Sequence, residues 1–290
     1  MIGDGKPSQT AMTAAAARAA HLIVDSEPLI FADPLAYPLL GAAAEDLVGY
    51  HRQHGAHPVL AGARAAVTTR SRYTEDRLAA AVRRGVVQYV ILGAGLDSYA
   101  YRSPHGIRVF EVDHPDTQRW KRGLLAAAGI AVPDTVVFTP VDLETDALAD
   151  RLAHHGFDDA RPALVSWLGV TMYLTRDAIA ETLAVVGGLA PGSEIVVDHM
   201  LPEHLRDTAG QSYVDLVAPV AAEHGEPWLT FLDPGEMAAM MRKCGLEPVE
   251  HVPQRDAVPA ELWNRSDPLR ASDLAVLSVG RKESNVTLTP

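Results

Sequence analysis

Two glycines and three aspartates on one stretch of the chain carry the chemistry this sequence can do. In Val90-Ile91-Leu92-Gly93-Ala94-Gly95-Leu96-Asp97 an apolar run leads directly into two glycines. Where β-carbons are missing, a chain can turn sharply and bring its backbone amides close to a ligand. Phe110-Glu111-Val112-Asp113-His114-Pro115 follows, with Asp113 twenty residues past Gly93. A carboxylate at the end of a second strand can accept hydrogen bonds from both hydroxyls of a ribose. Val141-Asp142-Leu143 repeats the arrangement after a third apolar run, with Asp142 as an acceptor for an adenine amino group and Leu143 as a cover for the ring. Helix capping is the ordinary alternative role of each aspartate.

The glycine turn also distinguishes between ligands. A dinucleotide fingerprint needs a third glycine at position 98, where a helix packs on the strand and its N-terminus meets a pyrophosphate. This chain has Ser98 followed by Tyr99, and it has no Tyr-x-x-x-Lys pair. Both facts disfavour an NAD(P)-dependent oxidoreductase. S-adenosylmethionine has no phosphate, so it needs the turn, the ribose acceptor and the adenine acceptor without the anion cradle.

The elements that must position these residues form an α/β alternation. Short, nearly all-apolar runs at 88–92, 108–111, 136–141, 163–168 and 194–198 predict five strands, with helices near 114–128, 144–155 and 175–190. Strands of that kind are buried on both faces, so helices must cover the sheet on two sides. Runs at 248–252 and 274–280 predict an antiparallel C-terminal hairpin that completes a seven-stranded, mostly parallel, doubly wound Rossmann-like sheet. By analogy of fold, that ending distinguishes methyltransferases from most dehydrogenases. Before the sheet, an alanine-rich helix over 10–25 and a long helix over 61–83 are expected, separated by a mixed segment. The predicted organisation is a single domain over 1–290, with an N-terminal helical cap at 1–84, a cofactor-binding core at 85–200, a helical insert at 201–232 and the sheet completion at 233–282. The sheet itself needs neither the cap nor the insert, so both are expected to form a lid.

Composition excludes several functions. Hydrophobic residues are 48% of the chain and the formal net charge is −12 without a basic stripe, a field that repels nucleic acid and anionic membranes. The single cysteine, Cys244, rules out an intrachain disulfide framework and a cysteine-rich zinc site; it is expected to be a buried helical thiol in a reducing cytoplasm. The tract His51-Arg52-Gln53-His54-Gly55-Ala56-His57 lacks acids and cysteines and reads as a solvated turn rather than a metal site. No apolar run is long enough for a transmembrane helix. The expected partner is a small molecule.

At this point the chain resembles the leucine carboxyl methyltransferase family, in particular its actinobacterial small-molecule branch. The resemblance spans most of the sequence. Its carriers are Arg70-Ser71-Arg72-Tyr73, the run from Ile91 to Arg102, Glu111-Val112-Asp113-His114-Pro115, Val141-Asp142-Leu143 and Trp167-Leu168-Gly169-Val170-Thr171-Met172-Tyr173-Leu174. It implies an S-adenosylmethionine cofactor on the glycine turn, the acid after the second strand and the Asp-Leu pair, with an arginine of the 70–73 stretch on the methionine carboxylate. Relatives often carry a glutamate where Leu168 stands and an arginine near Tyr99. These departures put a peptide-carboxylate substrate in doubt and leave cofactor binding intact.

The cofactor-binding candidates are Arg70, Arg72, Gly93, Ala94, Gly95, Asp97, Asp113, His114, Asp142, Leu143 and Trp167. The substrate-binding candidates are Arg102, Met172, Tyr173, His199 and Tyr213, since ligands of open α/β sheets gather beyond the carboxyl ends of the strands. Core packing is the rival role for Trp167 and Met172, and Arg102 could instead complement a helix C-terminus. If a general base is used, Tyr173, His199 and His114 are the strand-end candidates. The expected reaction is O-methylation of a carboxylate or hydroxyl of a small molecule in secondary metabolism, with C- or N-methylation of an indole-type aromatic as the alternative. The acceptor and the oligomeric state are not written in the sequence.

Overall fold

A computed structural model describes residues 8–103 and 105–283. The sheet has seven strands: β1 (Gln88–Leu92), β2 (Arg108–Asp113), β3 (Val136–Pro140), β4 (Ala163–Trp167), β5 (Glu194–Met200), β6 (Glu247–Pro253) and β7 (Ala275–Arg281). Their order is β3-β2-β1-β4-β5-β7-β6. The first five are mutually parallel, and β7 runs antiparallel to both β5 and β6. The chain moves outward from β1 to β3 and returns to β4 on the other side of β1. The strand order therefore reverses between β1 and β4, which opens a crevice beyond their carboxyl ends.

Every residue of β1, β4 and β5 is buried, and the period-2 alternation of strand side chains sends successive residues to opposite layers. Val90, Leu92, Val165 and Trp167 join one core cluster with Ile179 and Leu183 of α8 (Arg176–Gly187) and Met237 of α10 (Pro234–Lys243). Tyr89, Ile91 and Leu164 join another with Leu78 and Ala81 of α4 (Pro58–Arg83). Helix α6 (Pro115–Ala127) is fixed to β2 by a buried ion pair, Lys121 Nζ to Glu111 Oε2 at 2.7 Å, and by Gln118 Nε2 donating to the Glu111 carbonyl.

The N-terminal helix α1 (Gln9–Val24) is capped by Ser8, whose hydroxyl accepts from the Ala11 amide, and its alanines pack against α3 (Ala44–His54). The mixed segment is held by a buried knot: Arg18 of α1 donates to Asp33 at 2.8 Å and to the Leu96 carbonyl, and Ser98 donates to Asp33. Burial would raise the Asp33 pKa, but the two arginines Arg18 and Arg102 and the Ser98 hydroxyl bring it below the usual carboxylate value. In the insert, α9 (Thr208–Glu223) packs on α4. No helix among the described residues is long and apolar enough to cross a membrane.

Three sequence expectations change. The histidine tract is no solvated turn throughout: His51 is buried in α3 against Arg64, which also grips both oxygens of Asp25, and His57 caps α4. Cys244 is half-buried at the C-cap of α10, its thiol donating to the Ala180 carbonyl. Strand β5 does not stop at Asp198 but runs to Met200, because β7 pairs with it and matches His199 to Val276 and Met200 to Ala275.

Candidate active site

Two cavities lie in the crevice. The larger, about 380 Å³, is lined by the turn from Gly93 to Asp97, by Asp113, His114, Asp142 and Leu143, and by Leu168 to Val170. The smaller, about 270 Å³, is mostly apolar, with Val67, Met172, Met200, Val217 and Leu277 on its walls beside Tyr213 and Trp228. The two share Thr10, Ala14, Arg70, Gly169, Tyr173 and Glu226, so these residues form the junction.

The glycine turn and the acid after β2 are one unit. Gly93 and Gly95 take φ of 66° and 43°, a region that costs any residue with a β-carbon. The freed Gly95 amide donates to Asp113 Oδ2 at 2.5 Å, and the His114 amide donates to Oδ1 at 2.7 Å. Burial nevertheless keeps the Asp113 carboxyl above its usual pKa. Asp142 accepts from the Glu144 amide at 3.0 Å, a local turn that fixes its carboxylate at the cavity wall.

At the junction, Arg70 of α4 donates to Asp198 Oδ2 at 2.9 Å, and the Gly169 amide donates to Asp198 Oδ1 at 2.5 Å. Asp198 thus ties the loop after β4 to α4. Gly169 has φ 74°, and a β-carbon there would lie 2.5 Å from Arg70 Nη2. The Tyr173 hydroxyl stands 3.1 Å from Thr10 Oγ1, and burial raises its pKa, so it is a neutral hydrogen-bonding group. Burial also pushes the Tyr213 phenol up to about 12.

Arg70, Gly93, Ala94, Gly95, Asp97, Asp113, His114, Asp142 and Leu143 all lie on the wall of the larger cavity, and Met172, Tyr173 and Tyr213 on that of the smaller. Four candidates lie elsewhere. Arg72 is turned to Asp76, at 2.6 Å, with a long contact to the Ile30 carbonyl. Trp167 is fully buried in the core, facing α8 rather than the crevice. Arg102 forms an ion pair with Glu75 and lies near Asp33. His199, drawn into β5, is buried with Nδ1 2.8 Å from the Leu232 carbonyl and Nε2 2.8 Å from the Ser278 hydroxyl. Asp198, Thr10 and Glu226 carried no signal in the sequence beyond their polarity; Thr10 meets Glu226, and Asp198 meets Arg70, only in the folded chain. Among the described residues no three metal-ligating side chains cluster.

The environment of His199 has a consequence for stability. Nδ1 must donate to the carbonyl, so Nε2 accepts from Ser278 and the ring is neutral. Burial lowers its pKa to about 4, against about 6.5 in an unfolded chain. The unfolded state therefore binds the extra proton first as pH falls. The stabilisation is complete above about 6.5 and is lost towards about 4, an amount on the order of 3 kcal/mol. His51, also depressed to about 4 by burial and by Arg64, acts in the same direction. An NMR titration in which the His199 ring protonates near 6.5 in the folded protein would refute this.

Comparison with known proteins supplies a lineage for this geometry. The model of the family described as leucine carboxyl methyltransferase matches residues 11–187. A Bacillus subtilis protein provisionally named an S-adenosyl-L-methionine-dependent methyltransferase is 35% identical over 207 residues, covering 70% of this chain and 67% of that protein. A Saccharopolyspora erythraea protein with the same provisional name is 34% identical over 266 residues, covering 81% and 88%. The crystal structure of a Thermobifida fusca protein, provisionally described as a methyltransferase, superposes with a TM-score of 0.60 at 20% identity, covering 97% of each chain. That last likeness is one of fold.

Proposed function

The chain belongs to the leucine carboxyl methyltransferase family of S-adenosylmethionine-dependent enzymes, and we propose that it methylates an oxygen of a small, largely apolar molecule held in the smaller cavity. The observation that carries this reading is the junction: a cavity with cofactor-type residues opens on an apolar one across a shared wall of six residues. The residues of the larger cavity fit the cofactor. Its size is within the range of small-molecule sites, β-carbons are missing where a ligand must come close, and Asp113 at the end of β2 and Asp142 just after β3 are acceptors. When bound, S-adenosylmethionine supplies an electrophilic methyl carbon and a neutral leaving group.

The work left to the chain is alignment and exclusion of water. In this reading Asp113 holds the ribose, Asp142 and Leu143 hold the adenine, and Arg70 orients a carboxylate at the junction. Helix α1 and the loop after α9 supply Thr10, Ala14 and Glu226 to the junction walls, which supports the lid role proposed for the cap and insert. Neither His114 nor His199 lines the smaller cavity, and Tyr173 is held protonated. A carboxylate is nucleophilic without a base, whereas a neutral hydroxyl would draw on His224, which does line this cavity. A second reading, N- or C-methylation of an aromatic, is favoured by Tyr173, Tyr213 and Trp228 on the walls of the same cavity.

Incubating the protein with methyl-labelled S-adenosylmethionine and panels of apolar carboxylates and indoles tests the acceptor, and label in the indoles alone would reverse the preference. For the cofactor, Asp113→Ala removes a charge-assisted acceptor worth about 1.5–3 kcal/mol and is expected to weaken S-adenosylhomocysteine binding about tenfold or more. Wild-type affinity in calorimetry would place the ribose elsewhere.

A further inference from the structure

We propose that Glu226 is the counter-charge for the cationic methionine end of the cofactor, a role that rests on reading the larger cavity as the S-adenosylmethionine site. A methyl group that passes into the smaller cavity has to sit at the junction, and so does the sulfonium that carries it. Of the six residues lining both cavities, two are charged, Arg70 and Glu226. Arg70 is already engaged with Asp198 at 2.9 Å. Glu226 has no ion-pair partner among the described residues; it accepts from the Ser8 hydroxyl at 2.9 Å, the Thr10 hydroxyl at 2.5 Å and the Thr10 amide at 3.3 Å. All three donors are neutral. A carboxylate offers about four lone-pair sites, which leaves one for a ligand.

The methionine end of the cofactor presents two cationic centres, an ammonium and a sulfonium, beside one carboxylate. The junction presents the complementary pair, Glu226 for the cations and the guanidinium of Arg70 for the carboxylate. The other acids of the larger cavity, Asp97, Asp113, Asp142 and Glu144, do not reach the smaller one, and Leu168 on the same wall supplies no charge.

The competing role for Glu226 is structural. A negative charge near the first turn of α1 favours that helix, and its bonds to Ser8 and Thr10 fasten the loop after α9 to α1. The α1 N-terminus is already capped by Ser8 through the Ala11 amide at 3.2 Å, so the cap alone does not call for a carboxylate brought from the far end of the insert.

Calorimetry with two neutral thioethers separates the roles. S-adenosylhomocysteine keeps the ammonium and carboxylate, while 5′-methylthioadenosine lacks the whole amino-acid portion. Glu226→Gln is expected to weaken S-adenosylhomocysteine about tenfold or more and to leave 5′-methylthioadenosine within about twofold of wild type. Equal losses for both nucleosides would reduce Glu226 to a strap, and an unchanged S-adenosylhomocysteine affinity would remove it from the site; either result overturns the proposal. Thr10→Val loosens the strap but keeps the charge, so the ratio of the two affinities should stay within about twofold of wild type. If that ratio falls as far as in Glu226→Gln, the hydrogen bonds and not the charge set the preference and the proposal fails. Wild-type protein that binds neither nucleoside would instead sink the reading of the larger cavity.

Discussion

Arg70→Ala is expected to lower kcat/KM by about 100-fold, which corresponds to roughly 2.7 kcal/mol of lost transition-state stabilisation. The side chain touches both cavities and is mostly buried, 19% exposed against 7% for its partner Asp198. Truncating one member of such a pair removes its contact with ligand and also strands the other charge, and the penalty for the stranded group is a large part of the cost. The stranded group here is not idle. Asp198 Oδ1 accepts from the Gly169 amide at 2.5 Å, so a carboxylate freed of Arg70 can swing and take the loop after β4 with it. Both kcat and KM should therefore worsen. Arg70→Lys keeps the charge but loses the planar fork that lets one guanidinium hold Asp198 while facing a ligand, and it is expected to fall between wild type and Arg70→Ala. Steady-state kinetics decide this, and an Arg70→Ala enzyme with unchanged kcat/KM would remove Arg70 from the site.

What the sequence revealed depended on whether local pattern or long-range pairing sets the feature. The parallel core was legible because strands buried on both faces read as near-continuous apolar runs, and β1, β4 and β5, buried at every position, carry Val90-Ile91-Leu92, Ala163-Leu164-Val165 and Ile195-Val196-Val197. The end of β5 was not, because its last two residues are strand only through β7, some 75 residues later; that pairing is what takes His199 out of the crevice and into the interior. Of Arg70 and Arg72, helix geometry brings only Arg70 to the cavity wall. At about 100° per residue, position 72 lies on the far side of α4 from position 70, and Arg72 meets Asp76 instead of a cavity. Trp167 follows from alternation in β4: Ser166 faces the larger cavity, and its neighbour must face the other layer. Arg102 was drawn off by Glu75, on a different helix. The junction residues Thr10 and Glu226, and Asp198 that holds Arg70 beside them, come from three distant parts of the chain, and no spacing rule could have joined them.

Gly93→Ala is expected to destabilise the protein by about 2–5 kcal/mol, and the two contributions can be measured apart. The first is conformational: φ is 66° at this position, and a left-handed backbone costs an L residue with a β-carbon about 1–2 kcal/mol. The second is steric. A β-carbon would lie 2.3 Å from Val170 Cγ2 and within 3.5 Å of two further Val170 carbons, and overpacking of this kind costs about 1–3 kcal/mol. Val170 cannot retreat cheaply, since it adjoins Gly169, whose amide is held by Asp198 and whose missing β-carbon makes room for Arg70. Adding Val170→Ala relieves the steric contribution and leaves the conformational one, so the double variant should recover about 1 kcal/mol or more relative to additivity. Urea unfolding of the four proteins in the cycle gives the numbers. Strict additivity would mean that the backbone alone demands glycine. A coupling of the expected size would mean that Gly93 is also kept small by the loop after β4, so that the turn in the larger cavity and the Arg70 junction are set by a single contact.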